Sequence, residues 1–467
     1  MLRCRALALC ASLAACSGAG TNPTNPAIPG GTSADQRSAS SGHISHVVIM
    51  IQENRSFDDL FATFPGADGT RWGKYEHRGR VKLQSVDLVG LCDWGHSYGD
   101  YLKDYNNGKM NGFGGEGGGP RCPGYAGRRV YQYVNPTEIA PYWDIASQYV
   151  LADHTFQTEG SGSFTAHQDL IRGATTYDKF AVKSLVDFPS QHPWGCDAKP
   201  GTKTSRLVWN GKSLVREYNL GPFPCTKDFP YAGQYYPTLR DSLDAKSVSW
   251  KYYTPSTRGV GALWNAFDLV AAVRYGPEWT NNIPGRPNFQ NQIFYDISSN
   301  SLPAVSWVIP DDKSSDHPGP TNDQGPSWVA SVVNAIGQSP YWQSTAIIIV
   351  WDDWGGFYDH VPPPFFDHWG GLGFRVPMLV VSAYARQTSP TKPSYISHTN
   401  YEFGSILKFA EDTFGLSRLG TTDIRANSIS DCFDFTRSPR TFQKIPSQYS
   451  KEYFLKEKPS GRPIDSE

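Results

Sequence analysis

The chain is organised around His46 to Phe61, where the apolar run Val47-Val48-Ile49-Met50-Ile51 gives way abruptly to Gln52-Glu53-Asn54-Arg55-Ser56. The run is rich in β-branched residues and does not alternate with polar ones. A strand of that kind has no face for water, so it belongs inside a sheet covered on both sides, as parallel sheets are. Residues leaving the carboxyl end of such a strand stand where open α/β sheets bind ligands. Glu53 and Asn54 are oxygen donors suited to a divalent cation, and Arg55 can counterbalance negative charge beside them. The same residues could also form a turn that caps the next helix.

The pattern of a buried strand with a chemically loaded end recurs. Leu302 to Ile309 reads as a strand that runs into Asp311-Asp312-Lys313-Ser314-Ser315-Asp316-His317-Pro318-Gly319. Thr345 to Trp351, the most apolar strand, ends in Asp352-Asp353-Trp354-Gly355-Gly356-Phe357-Tyr358-Asp359-His360-Val361-Pro362-Pro363. Two adjacent carboxylates there repel each other unless a cation or protons intervene. Tyr149 to Ala152 reads as a short strand, followed by Gly160-Ser161-Gly162-Ser163-Phe164-Thr165-Ala166-His167. Glycines beside a serine permit a tight turn, and a helix beginning there would favour a phosphoryl group at its N-terminus. Val248 to Tyr253 and Val376 to Ser382 add strands. Helical spacing is read at 138–149, 327–336 and 401–414. Buried strands alternating with helices define an α/β protein.

Composition narrows the function further. Formal net charge is −1, which leaves no basic stripe for nucleic acid. No apolar run approaches the length of a membrane span, and there is no internal repeat. Two stretches, about 71–127 and 179–237, are rich in Gly, Pro and polar residues and read as insertions over the sheet. The run Gly112-Phe113-Gly114-Gly115-Glu116-Gly117-Gly118-Gly119 lacks a following Gly-Lys-Ser/Thr, so it is not a phosphate-cradling P-loop. The high aromatic content, 13%, is attributed to packing of these long loops. The tail after Cys432 is polar and carries no signal.

Met1 to Ala15, with Arg3, Arg5 and a short apolar run, reads as a secretion signal. Leu13-Ala14-Ala15-Cys16 resembles the bacterial lipoprotein cleavage box, which implies lipid on Cys16. Residues 16–42 then form a coreless flexible tether. The expected location is the cell envelope, periplasmic or outer-membrane. Export permits disulfides, and of the five remaining cysteines two pairs lie close in sequence, Cys92–Cys122 and Cys196–Cys225, leaving Cys432 over.

The segments Glu53-Asn54-Arg55-Ser56-Phe57-Asp58, Gly162-Ser163-Phe164, Asp316-His317-Pro318-Gly319 and Asp352-Asp353 through Pro363 resemble the bacterial phosphoesterase family. That family holds phosphatidylcholine-type phospholipases C and certain acid phosphatases. Gly95-His96-Ser97, the 108–113 segment and the 395–407 segment with His398 resemble it as well. The resemblance runs from His46 to about Leu416. It implies an alkaline-phosphatase-like three-layer α/β/α sandwich with loop-rich cap insertions. It also implies one divalent metal ion held by Glu53, Asn54, Ser163, Asp352 and Asp353. Ser163 would be the nucleophile forming a phosphoserine, with Ser161 and Thr165 as competitors. His317, His360 and His96 would steady phosphoryl oxygens or protonate the leaving alcohol. The substrate would be a phosphate ester, possibly a phospholipid. Acid phosphatases of the family carry neighbouring histidines in the middle region, whereas no histidine pair stands between His192 and His317 here. A sulfatase or phosphonate hydrolase on the same fold, and a lipid-tethered binding protein with a dead site, are the alternatives.

Overall fold

The computed structural model describes residues 42–462 except 77–78, 91, 120–121, 179, 192–194, 222–224, 226–235, 258, 260, 284–290 and 365–370. The signal, Cys16 and the tether through residue 41 lie outside the described residues. A seven-stranded sheet forms the centre. Its strands are β1 (His46–Gln52), β2 (Val150–Ala152), β3 (Trp250–Tyr253), β4 (Val305–Val308), β5 (Thr345–Trp351), β6 (Met378–Ser382) and β7 (Tyr395–Ser397). The spatial order is β3-β4-β1-β5-β6-β2-β7. All strands are parallel except β6, which runs against both neighbours. The continuous apolar reading of 47–51 is explained by this position, with β4 on one side, β5 on the other and both faces covered.

Four helices provide most of that cover: α1 (Ala140–Gln148), α2 (Ser163–Arg172), α3 (Gly325–Gly337) and α4 (Phe403–Phe414). Register decides which face each takes. Ile49 lies level with Trp307 of β4 and with Ile348 of β5. The Trp307 indole donates to the Leu170 carbonyl of α2, 3.1 Å away, so this row faces α2 and its neighbour α4. Trp351 is three residues beyond Ile348 and points the other way, packing edge-on against Tyr142 of α1 at 4.9 Å. Helix α3 packs beside α1 on that side. The result is the three-layer α/β/α sandwich.

Period-two alternation carries on past the strands. Glu53 continues the row of Ile49 and Ile51, and Asp352 that of Ile348 and Val350, so both emerge on the α2 side.

The described residues of the two insertions hold regular elements. The first holds the hairpin Trp72–Tyr75/Gly79–Lys82 and a helix at Tyr98–Tyr105, and the second an antiparallel sheet of Lys183–Val186, Ser205–Trp209 and Leu214–Glu217. They share a second core in which Trp94, Tyr101, Phe113 and Leu207 meet Trp354 and Phe374. The aromatic residues of the 352–358 motif thus anchor the cap to the sandwich. Cys92–Cys122 and Cys196–Cys225 are disulfides, with Cα atoms 5.7 and 4.8 Å apart, and Cys432 is a buried thiol.

The tail after Cys432 corrects its sequence reading. Ile445 and Phe454 are fully buried, and the Phe454 ring packs edge-on against Trp328 of α3 at 5.3 Å. A few apolar residues scattered through a polar stretch show no period, yet they cover the outer face of α3. That explains a helix apolar almost all round.

Candidate active site

The strand ends and the start of α2 converge on one buried centre. Glu53, Asn54, Ser163, His167, Asp352 and Asp353 are all fully shielded from solvent, and His96 is 1% exposed. Asn54 takes a left-handed backbone, φ 56°, a conformation asparagine tolerates better than most residues. This turn lets its amide N–H donate to Asp352 Oδ1 at 2.9 Å, tying the end of β1 to the end of β5. The same Asp352 oxygen accepts the Asp353 N–H at 2.8 Å. Gly355, also left-handed at φ 60°, lies against the Asn54 carbonyl, where a Cβ would collide with it. The twin glycine is therefore a close-packing requirement of this junction.

Ser163 opens α2 behind Gly162, which supplies no side-chain cap. Its hydroxyl lies 3.3 Å from Asn54 Oδ1 and 3.3 Å from Asp353 Oδ2. Ser161 and Thr165 face elsewhere. Ser161 Oγ accepts the Asp187 N–H at 2.9 Å, and Thr165 Oγ1 donates to the Asp187 carbonyl at 3.3 Å. These two hydroxyls join the nucleophile loop to the second insertion, while Ser163 alone of the three is bonded to Asn54 and Asp353.

His96 comes from the first insertion. Its Nδ1 lies 2.6 Å from the Trp94 carbonyl, which can only accept, so that nitrogen carries the proton. Nε2 then accepts from the Asn54 side-chain amide at 3.1 Å. Asn54 therefore links His96 of the first insertion to Ser163.

His167 stands one helical turn beyond Ser163. Its Nε2 is 2.9 Å from Glu53 Oε1 and 3.8 Å from Asp352 Oδ2. Burial pulls its pKa down to about 4, only partly opposed by Asp352, so the ring is neutral at pH 7. Sequence reading noted His167 but gave it no role, because only the tertiary fold brings α2 across the end of β1. Asp352 Oδ2 is buried and accepts no hydrogen bond from the described residues. Glu53, His167 and Asp352 each offer a ligand atom within 4.8 Å of the others. A buried carboxylate oxygen without a donor fits a site built for a cation.

The remaining sequence candidates lie around this centre. Arg55 counterbalances a nearby carboxylate, that of Asp59 four residues on. It donates to the Asp316 carbonyl at 2.9 and 2.6 Å and pairs with Asp59 at 3.1 Å. Asp316, left-handed at φ 71°, also accepts from Tyr142 at 2.6 Å and from Trp351 Nε1 at 3.1 Å. Burial pushes its carboxyl up to about 6. The acidic residue of Asp316-His317-Pro318-Gly319 is thus a hub joining that loop to β1, α1 and β5. His317 is 7% exposed, bonded through Nδ1 to the Pro318 carbonyl at 3.2 Å, with its ring 6.0 Å from Trp264. His398 is 61% exposed and holds Asp153 at 2.9 Å. It does not cap α4, whose capping box is formed by Glu402 and Ser405.

His360 belongs to a second cluster. Its Nδ1 lies 2.7 Å from Asp58 and its Nε2 3.3 Å from Asp68. Asp58, Asp359 and His360 have the spacing of a metal site, but Arg375 is seated among them. Its guanidinium grips Asp359 at 2.9 and 3.1 Å and approaches Asp58 to 3.5 Å. The sequence places His360 at the phosphoryl group; here its partners are Asp58, Asp68 and Arg375, and both aspartates are remote from it in sequence.

The match of a family model over most of the chain, together with its relatives, makes the protein a hydrolase of phosphoric esters. The chain belongs to the Phosphoesterase family, whose model matches residues 44–417. Phospholipase C A of Mycobacterium tuberculosis is 26% identical over 456 residues, covering 85% of this chain and 78% of that protein. Non-specific phospholipase C1 of Arabidopsis thaliana is 25% identical, covering 91% and 77%. Non-hemolytic phospholipase C of Burkholderia pseudomallei is 22% identical, covering 88% of this chain and 62% of that longer protein. Among solved structures, an alkaline phosphatase superfamily protein from Vibrio parahaemolyticus aligns over 83% of this chain and 71% of its own, with 10% identity and a TM-score of 0.36. The sulfatase PsFucS1 of Pseudoalteromonas aligns over 87% and 77%, with 8% identity and a TM-score of 0.41. Among the described residues no helix is long and apolar enough to cross a membrane.

Proposed function

We propose that the protein is a metal-dependent phospholipase C that cleaves phosphodiesters through a covalent intermediate on Ser163. The observation that carries this reading is the Ser163 hydroxyl, 3.3 Å from both Asn54 Oδ1 and Asp353 Oδ2, beside an Asp352 oxygen with no hydrogen-bond donor. Glu53, Asn54, Ser163, Asp352 and Asp353 would hold one divalent cation, which when bound would supply Lewis acidity that lowers the hydroxyl pKa and offsets phosphoryl charge. Ser163 Oγ forms a bond to phosphorus as the bond to the leaving alcohol oxygen breaks. The hydroxyl proton is directed at Asp353, and the leaving oxygen takes a proton from His317. His96 orients Asn54, and water then cleaves the phosphoserine. The groups joined to Ser163 bring carboxylates with them, so a monoanionic diester meets less repulsion than a dianionic monoester. The names of the relatives point the same way.

The test presents phosphatidylcholine, a phosphomonoester, a phosphodiester and a sulfate ester, each with and without divalent ions. Diacylglycerol release, with the phosphoryl label trapped on Ser163 by rapid quench, is the expected result. Trapping on Ser161 or Thr165 overturns the assignment of the nucleophile, and turnover of the sulfate ester alone overturns the reaction class. The two disulfides accord with an oxidising compartment, and lipid on Cys16 would hold the enzyme to a membrane. Cys16→Ser is expected to release it from the membrane fraction. A wild type that is already soluble overturns the anchor.

A further inference from the structure

The role of His167 follows from its two ring nitrogens. Ser163 and His167 are four residues apart on α2, so their side chains share one face of the helix. Nε2 reaches Glu53 Oε1 at 2.9 Å, whereas Nδ1 is buried and has no hydrogen-bond partner among the described residues. If Nε2 were a bare lone pair ligating a cation, the proton would sit on Nδ1, pointing at no acceptor. Ligating imidazoles almost always give that second N–H a partner, and an unsatisfied buried donor is costly. With the proton on Nε2, the ring donates to Glu53 and leaves only an unused lone pair on Nδ1.

Resting on the metal-centre reading above, we infer that His167 is a positioning residue and not a ligand. Its Nε2–H holds one oxygen of Glu53, which fixes the carboxylate's orientation toward the cation. The contact also locks the end of β1 to the nucleophile helix, so ligand and nucleophile keep a common register.

The experiment measures Mn(II) affinity of the full folded chain by calorimetry, with folding checked by circular dichroism. His167→Leu keeps the bulk and removes the donor, and is expected to weaken Mn(II) about 10- to 100-fold, the usual effect of losing a residue that orients a ligand. His167→Gln places an amide N–H near the position of Nε2 and should bind close to wild type. In a Glu53→Gln background, His167→Leu should add little further loss. If the Leu variant does not fold, His167→Asn, too short to reach Glu53, replaces it. Wild-type affinity in the donor-less variant overturns the inference. So does a spin-echo signal from a directly coordinated imidazole nitrogen in the Mn(II)-loaded wild type, which would make His167 a ligand. Absence of Mn(II) and Zn(II) binding by the wild type removes the metal-centre reading, and this inference with it.

Discussion

Two clusters in this protein have the same composition, two carboxylates and a histidine, and opposite electrostatics. In Asp58–Asp359–His360 the counter-charge is a side chain of the protein itself, because Arg375 is fully buried among the acids and donates to the Asp68 and Asp153 carbonyls as well. In Glu53–His167–Asp352 the histidine is neutral, and one Asp352 oxygen accepts no hydrogen bond. The first cluster is complete as folded and ties the turn after β1 to the loop before β6. The second calls for a cation from outside, and it is the one beside a serine at a helix N-terminus. A similar set of side chains is a clamp in one place and a candidate reaction centre in the other, according to whether a guanidinium reaches it.

The sharpest test of the contrast is Ser163→Ala, which should abolish turnover while leaving Mn(II) binding measurable and the melting temperature near wild type. Retained turnover would move the chemistry away from this centre. Next is Arg375→Met, which strands two buried carboxylates and should cost about 3–5 kcal/mol in urea unfolding. A loss well under that range would mean that the clamp is dispensable. A chelator acts on the other cluster only. Saturating divalent ion at 100 times Kd should add about 2.7 kcal/mol of stability, and Asp352→Asn should diminish that increment while Arg375→Met keeps it. If both variants lose it equally, the two clusters are not electrostatically distinct.

The smallest effect is the pH dependence of His360. Burial lowers its pKa, but the hydrogen bond and charge of Asp58 outweigh burial, and the net direction is upward. A histidine raised in the folded state contributes stability that is fully present below its unfolded pKa, about 6.5, and lost as pH rises through the folded value. Removing the pair with His360→Gln should therefore cost on the order of 1 kcal/mol at pH 6 and less at pH 9. Urea midpoints at the two pH values measure it, and an equal loss at both would show that the ring is held by packing alone.

Much of the architecture was legible before any coordinates. The unbroken apolar runs at 47–51 and 345–351 could only be interior strands, and β1 and β5 are adjacent in the sheet. The candidate residues Glu53, Asn54, Asp352 and Asp353 are those that leave the strand ends. Legibility failed where meaning depended on partners far away in the chain. Arg55 answers to Asp316, His360 to Asp58 and Asp68, and the buried residues of the tail to α3. The insertions looked like loops because their apolar residues are spaced irregularly, yet together they build a core around Trp354.

By itself the sequence determined the local elements, the adjacency of Asp352 and Asp353, and the glycines that permit left-handed turns, since each depends only on near neighbours along the chain. The tertiary structure decided which carboxylates keep an internal counter-ion and which do not. That distinction turns on where Arg375 and His167 lie in space, and a charge acts through distance and burial, neither of which a linear order contains.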